Sequence, residues 1–200
     1  MSGSENVYEL PKNLPVPIDD GACDHLTGLQ LPSVPLMTTA GSSVDLTQLP
    51  GIIVVYCYPR TGRPDQDIPA GWDLIPGARG CTPESCAFRD HYQELRQAGA
   101  TQVFGLSTQT SIYQQEAVSR LHLPFAILSD AELAFTQALH LPTFVVAGMI
   151  LIKRLTLIIA DGRVIKVFYP VFPPDQHAAE VLAWLSEHPQ AGEEGQRRVD

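Results

Sequence analysis

The sequence predicts an α/β fold, because segments typical of strands and segments typical of helices alternate along most of its length. Short runs of β-branched and aromatic residues indicate the strands, and apolar residues three or four apart indicate the helices. A hairpin pattern and one amphipathic helix then close the chain. With 200 residues, 44% of them hydrophobic, the chain is large enough to bury the core of one domain.

The first elements are a lead-in, a hairpin and a buried strand. Residues 1–33 carry many Pro, Gly and Asp residues, so we expect an irregular lead-in that wraps the domain. Residues 34–39 and 43–46 predict a short hairpin. Residues 51–58 are apolar throughout, which indicates a strand buried on both faces.

Residues 60–80 have the composition of a loop and are too long for a simple connection. A helix is predicted next, with Thr82 as its N-cap and Pro83 in its first turn. Its apolar residues recur at helical spacing, at Phe88, Tyr92 and Leu95. Gly99 is predicted to end the helix.

The rest of the chain continues the alternation. Asp161-Gly162-Arg163 is a compact turn between the last two strands. The predicted domain covers 34–189, followed by a charged tail at 190–200. The predicted elements are strand 102–106, helix 110–121, strand 125–128, helix 131–139, strands 155–160 and 164–168, and a last helix that opens at 173–175 and ends near His188.

The net charge of −9 argues against nucleic acid and against an anionic membrane as partners. No apolar run reaches the ~20 residues that cross a bilayer. The longest, 144–152, is followed at once by Lys153 and Arg154. The first residues show neither a basic region nor an apolar core, so we expect no secretory signal and a cytosolic protein.

The four cysteines are too few for a secreted domain built on disulfides. The six histidines show no ligand spacing, so neither a metal site nor another cofactor is indicated. Cys23 lies in the lead-in and Cys57 in the buried strand, and we interpret both as structural.

Cys81 and Cys86 are different, because they lie where a helix is predicted to begin. The positive end of the helix dipole favours a thiolate there, and the thiolate is the nucleophilic form. Residues five apart on a helix have Cα atoms about 8–9 Å apart, whereas a disulfide needs about 7 Å or less. Such a pair suits a redox cycle with a conformational step better than a static staple.

The segment Gly-Cys-Thr-Pro-Glu-Ser-Cys-Ala-Phe-Arg-Asp at 80–90 resembles the active-site motif of peroxiredoxins, specifically the bacterioferritin-comigratory or Q-type subfamily. Further segments resemble the family's strands in family order, so the resemblance covers roughly residues 34–187. These segments are 54–59, 104–108, 123–130 and 153–159.

The resemblance implies a thioredoxin-like fold, a mixed central sheet flanked by helices, and a peroxidase that reduces hydrogen peroxide and organic hydroperoxides. Cys81 would be the peroxidatic cysteine, which becomes a sulfenic acid. Cys86 would resolve it as an intramolecular disulfide. Arg154 would stabilise the thiolate and polarise the peroxide, and Glu84 would hold Arg154. Arg89 would be a second basic residue along the helix.

The resemblance also implies partners. Thioredoxin or a similar dithiol protein would reduce the enzyme again, and we expect a monomer or weak homodimer.

The chain departs from the family before the peroxidatic cysteine. The family has a proline seven residues before it and a Thr or Ser three before it, but here the latter position is Ala78. Pro59 lies 22 residues before Cys81. An insertion of about 15 residues after Thr61 would leave Pro59 and Thr61 in the family places. Thr61 is therefore the candidate hydroxyl donor, although the spacing of Pro59 and Thr61 is too short, and Thr82 is the alternative.

Two other functions stay open at this point. A thioredoxin-type disulfide reductase or isomerase normally uses Cys-x-x-Cys, which this chain lacks. A redox sensor or chaperone could use the same Cys81–Cys86 switch without efficient turnover.

Overall fold

The computed structural model describes residues 8–189, and these form a single sheet-and-helix unit with one additional hairpin. The described residues contain nine strands and five α-helices. In chain order they are β1 (Pro35–Thr38), β2 (Ser43–Asp45), β3 (Ile52–Cys57), α1 (Cys81–Asp90), α2 (Tyr92–Gln97), β4 (Ala100–Ser107), α3 (Ser111–Leu121), β5 (Ile127–Ser129), α4 (Ala134–Ala138), β6 (Thr143–Val146), β7 (Met149–Ile152), β8 (Leu155–Ala160), β9 (Arg163–Phe168) and α5 (His177–Glu187).

The main sheet has seven strands in the order β2-β1-β5-β4-β3-β8-β9. Strands β3, β4 and β5 are parallel, while β1, β8 and β9 pair antiparallel with their neighbours. All residues of β3 are buried, because it is paired on both sides and covered on both faces. Since successive side chains point to opposite faces, Val54 and Tyr56 enter one core and Val55 and Cys57 the other.

Helices flank both faces of this sheet. Helices α1, α2, α3 and α5 supply apolar residues to the core on one face. On the other face, α4 packs together with the lead-in, which contributes Cys23, Leu26 and Leu31 to the core. The mixed sheet flanked by helices confirms the predicted thioredoxin-like fold. The lead-in is part of the core as well as a wrapping, and the predicted tail at 190–200 lies outside the described residues.

The predicted start of the active-site helix is wrong by one position. Helix α1 begins at Cys81 with Gly80 as its N-cap, so Thr82 lies inside the first turn. Gly80 has a φ of 104°, in the left-handed region. Glycine adopts this conformation readily, whereas a residue with a Cβ atom would be strained there. The predicted long helix is also interrupted at His91, where α1 ends and α2 follows.

A second hairpin was not predicted from the sequence. Strands β6 and β7 pair antiparallel and form a separate two-stranded sheet. Ala147 and Gly148 connect them with φ angles of 47° and 76°, as a type I′ turn requires. The predicted helix at 131–139 is reduced to the five residues of α4. The hairpin of β8 and β9 is confirmed, with its turn at Asp161 and Gly162.

Candidate active site

Cys81 is the first residue of α1, and the surrounding structure encloses it almost completely. Its side chain is 3% exposed. The turn before it is tight, because a Cβ on Gly80 would collide with the side chains of Pro174 and Leu10. The thiol is free and donates to the backbone carbonyl of Ala78 at 3.5 Å. The sulfur therefore lies at the N-terminus of a helix and is buried by the surrounding side chains.

Arg154 lies against this sulfur, as the sequence resemblance implied. It directly precedes β8, and its Nη2 is 3.2 Å from the Sγ of Cys81. Its Nη1 forms a salt bridge with Glu84 Oε2, and both side chains are buried. The structure thus brings together three of the predicted site residues, Cys81, Glu84 and Arg154, although Arg154 is far from the other two in sequence.

The end of the 62–80 segment completes the cradle of Arg154. The guanidinium donates to three consecutive backbone carbonyls, those of Gly77 at 3.3 Å, Ala78 at 3.4 Å and Arg79 at 3.3 Å. With the salt bridge to Glu84 and the contact with Cys81, these bonds fix the plane of the guanidinium. This segment, which the sequence marks only as an overlong loop, therefore helps to build the site.

The acidity of Cys81 results from two opposing effects. Burial raises the pKa of the thiol, while the Arg154 guanidinium beside it lowers the pKa. Burial is the larger effect, so the pKa lies above that of an ordinary thiol. The guanidinium therefore acts on the pKa of Cys81 in the predicted direction, against the effect of burial.

Glu84 is the buried carboxyl of the site. Burial raises its pKa, and the charge of the Arg154 guanidinium opposes the rise. One carboxylate oxygen is bonded to Arg154, and the other, Oε1, is buried without a hydrogen-bond partner among the described residues. The Glu84 carboxylate is therefore paired with the Arg154 guanidinium and holds it in place.

The hydroxyl of Thr61, the predicted donor to the sulfur, is bonded to Gln109. Its hydroxyl donates to Gln109 Oε1 at 3.2 Å, and its backbone N–H donates to the same oxygen at 3.0 Å. The preceding residue, Arg60, is the one whose backbone N–H lowers the pKa of the Cys81 thiol. Thr82, the alternative hydroxyl, is buried in the first turn of α1. In this arrangement the Thr61 hydroxyl is engaged with Gln109, while the backbone N–H of Arg60 acts on the thiol of Cys81.

Cys86 lies on the same helix as Cys81 and is half-buried, with a free thiol. Burial raises its pKa, and the charge of Arg89 opposes that rise. Arg89 also donates to the carbonyl of Leu121 at 2.9 Å. Arg89 lies on α1, where it was predicted, and the cysteine whose pKa its charge lowers is Cys86. On an intact helix the two cysteines keep the spacing that excludes a disulfide.

Sequence reasoning missed His177 because this residue stands alone in the sequence, at the start of α5. It is buried, and its Nε2 lies 2.8 Å from the hydroxyl of Thr156 on β8. Its ring packs edge-on against Phe88 of α1 and Phe168 of β9. These contacts join α5 to the helix that carries the cysteines.

The other two cysteines lie away from this site, in the core on the opposite face of the sheet. Burial raises the pKa of Cys23 to about 12 and that of Cys57 well above the ordinary value. Within residues 8–189, no group of His, Cys, Asp and Glu side chains is arranged to hold a metal ion. The same residues contain no helix long and apolar enough to cross a membrane.

Comparison with protein families gives one clear match. A model described as Redoxin matches residues 26–182. Peroxiredoxin Q of Sedum lineare is 30% identical over 156 residues, which are 77% of this chain and 74% of that protein. A putative peroxiredoxin bcp of Coxiella burnetii is 28% identical over 170 residues and is covered to 97% of its length.

Some relatives are longer than this chain. Peroxiredoxin Q of Oryza sativa subsp. japonica is 29% identical over 160 residues, and the match spans 79% of this chain but 65% of that protein. The chain thus spans about two thirds of the length of such chloroplastic relatives.

Solved structures show the same fold. Peroxidoxin BcpB of Mycobacterium tuberculosis superimposes with a TM-score of 0.64 at 26% identity and covers 81% of this chain and 97% of its own. Peroxiredoxin Q of Xanthomonas campestris has a TM-score of 0.61 at 23% identity, with coverage of 88% and 98%, and supports the fold alone.

Proposed function

The chain belongs to the redoxin family, within its peroxiredoxin Q group, and on this basis we propose that it is a thiol peroxidase acting on hydrogen peroxide and organic hydroperoxides. One observation carries the proposal: the sulfur of Cys81 lies 3.2 Å from the guanidinium of Arg154. Glu84 and three backbone carbonyls hold that guanidinium in place. A nucleophilic sulfur next to a fixed cation suits a reaction in which negative charge develops on a leaving oxygen.

In the first step, the Cys81 thiolate attacks one oxygen of the peroxide and the O–O bond breaks. The sulfur is oxidised to a sulfenic acid, and the other oxygen leaves as water or an alcohol after taking up a proton. The step requires Cys81 to lose its proton, which burial opposes and the Arg154 guanidinium favours. Arg154 stabilises both the thiolate and the charge on the leaving oxygen.

In the second step, the Cys86 thiol attacks the sulfenic sulfur, and water leaves as the disulfide forms. The two residues share α1, so the turn between them must unwind before their sulfurs can meet. Half-buried Cys86 needs a smaller displacement to reach solvent than Cys81 does. The unwound first turn would also release Arg154 from Glu84.

Thioredoxin or a similar dithiol protein would return the disulfide to two thiols. A soluble dithiol can attack the disulfide once the unwound helix exposes it. The cytosol as compartment and a monomer or weak homodimer as the assembly stay predictions from the sequence.

The test is steady-state peroxide consumption with thioredoxin, thioredoxin reductase and NADPH. Wild-type protein should consume hydrogen peroxide catalytically, Cys81→Ser should not, and the matched control Cys23→Ala should keep the activity. Rapid oxidation of Cys81 without turnover would instead assign the chain to redox sensing. Activity retained in Cys81→Ser would contradict the proposal.

A further inference from the structure

Residues 8–20, a part of the lead-in that we call the strap, are tied to the domain at both ends. At the start of the strap, the hydroxyl of Tyr8 accepts a hydrogen bond from Arg120 Nη1 on α3 at 3.1 Å. At its end, the carboxylate of Asp20 forms a salt bridge with Lys153 Nζ at 2.7 Å. The strap therefore runs from α3 to the residues just before β8.

Between these two ends, the strap lies against the backbone of the active-site segment. A Cβ atom on Gly80 would lie 2.7 Å from Cδ2 of Leu10, so the Leu10 side chain packs directly on this glycine. Pro17 packs in the same way on Gly77, at 3.7 Å from the corresponding Cβ position. The carbonyl of Gly77 accepts from Arg154 Nε, and Gly80 is the N-cap of α1. The strap thus contacts both the cradle of the arginine and the start of the helix that carries the two cysteines.

Few contacts hold the strap in this position. The apolar side chains of Val16 and Ile18 are 61% and 84% exposed. The salt bridge of Asp20 and Lys153 joins two partly exposed side chains, and such pairs contribute little to stability. The match to the family model begins only at residue 26, so the fold shared with that family does not include the strap. A segment held in this way can detach while the core stays folded.

The packing of Leu10 affects the step in which the helix must open. The two cysteines can form a disulfide only after the first turn of α1 unwinds, and Gly80 is the N-cap of that turn. Because Leu10 packs on Gly80 in the folded arrangement, burial of its side chain stabilises the folded turn relative to the unwound one. The contact must therefore be lost by the time the disulfide forms.

We propose that the strap is an autoinhibitory element, which slows formation of the Cys81–Cys86 disulfide by holding the first turn of α1 folded. The inference rests on the proposed peroxidase function and adds a control of its second step. In that step the Cys86 thiol attacks the sulfenic sulfur of Cys81, and the S–S bond forms as the S–O bond breaks. The hydroxide takes up the thiol proton and leaves as water. Release of the strap speeds this step without changing its chemistry.

The test is the rate constant for disulfide formation in Leu10→Ala combined with Asp20→Asn, which weakens the strap at its middle and at its end. Acid-quenched samples are analysed by intact mass, at hydrogen peroxide concentrations high enough that the rate no longer depends on the peroxide. Access of peroxide to Cys81 then does not enter the measurement. The rate constant should rise about fivefold over wild type, the order expected when the contact of a half-buried leucine is lost.

Ile112→Ala combined with Asp19→Asn is the matched control. Ile112 lies on α3 and is 78% exposed, and the Asp19 carboxylate accepts a hydrogen bond from the backbone N–H of Gly21 at 3.0 Å. The control should form the disulfide at the wild-type rate. Equal rates in the strap variant and its control would overturn the strap alone, whereas a wild-type protein that reacts with no peroxide would overturn the proposed function and this inference with it.

A measurement on the wild-type protein tests the strap without any variant. In the disulfide form, the methyl NMR signals of Leu10 should move toward the positions of a leucine in an unfolded chain, because the packing on Gly80 is lost. The signals of Leu36, which is buried in β1, should stay where they are in the reduced protein. Leu10 signals that are the same in both redox states would overturn the proposal.

Discussion

Replacing Arg154 by Ala should slow the reaction of Cys81 with hydrogen peroxide by roughly 10²–10³, which corresponds to about 2–4 kcal/mol of lost charge stabilisation in an enclosed site. The structure supports an effect of this size, because Nη2 lies 3.2 Å from the sulfur and Arg154 as a whole is 3% exposed. Resolution by Cys86 should change much less, since Arg154 contacts Cys81.

The pH dependence gives a second readout of the same variant. Arg154 lowers the pKa of Cys81 against the larger effect of burial, so its removal must raise that pKa further. At a fixed pH the thiolate fraction falls, and the profile of rate against pH should move to higher pH. Stopped-flow measurement of single-turnover oxidation over a range of pH separates this shift from a lower limiting rate.

Stability has to be controlled, because Arg154→Ala also leaves Glu84 buried without its partner. Breaking such a pair costs about 3–5 kcal/mol, whereas removing both charges can be nearly neutral. Arg154→Met combined with Glu84→Gln should therefore regain stability in urea unfolding while its oxidation stays slow. Lys153→Ala is the matched control, because Lys153 is paired with Asp20 at the surface. An unchanged rate constant and pH profile in Arg154→Ala would refute the reasoning and assign the role to another cation.

Three further predictions concern the conformation and the other cysteines. Amide exchange across 84–90 should accelerate when the disulfide forms, while β3 stays protected, because α1 must unwind; equal exchange in both redox states would contradict this. Gly80→Ala should destabilise the fold by about 1–3 kcal/mol in urea unfolding and by more than Gly99→Ala. Both glycines have positive φ, but a Cβ meets neighbouring side chains only at Gly80, so equal losses would show that packing there is loose. Alkylation of Cys23 in the native protein should stay slow between pH 7 and 10, since its pKa of about 12 keeps it a neutral thiol; peptide mass analysis showing labelling that rises across this range would contradict its structural role.

Most of the fold could be predicted from local patterns. The apolar run that became β3, the turn at Asp161 and Gly162 and the amphipathic α5 each carry their signal within a few residues. The hairpin of β6 and β7 could not be identified in this way. Its residues form one continuous apolar run, and only the left-handed geometry at Ala147 divides that run into two strands.

The residues of the site could be predicted where a sequence motif identifies them. Properties that depend on how the chain packs around those residues could not. Cys81, Glu84 and Arg154 follow a motif and meet as expected. The raised pKa of Cys81 depends on how completely the folded chain buries its thiol, which no local pattern encodes. The bond of Thr61 to Gln109 could not be predicted for a similar reason, because the two residues lie far apart along the chain.

The intact mass of the protein after one equivalent of hydrogen peroxide tests the central assignment most directly. Wild type should lose two hydrogens, as an intramolecular disulfide requires, and Cys86→Ser should gain one oxygen as the sulfenic acid or more as it over-oxidises. Cys81→Ser should keep its mass, because its nucleophile is gone. A wild-type product that carries oxygen but no disulfide, or a Cys81→Ser variant that is oxidised as fast as wild type, would contradict the assignment of Cys81 and Cys86 as the reacting pair.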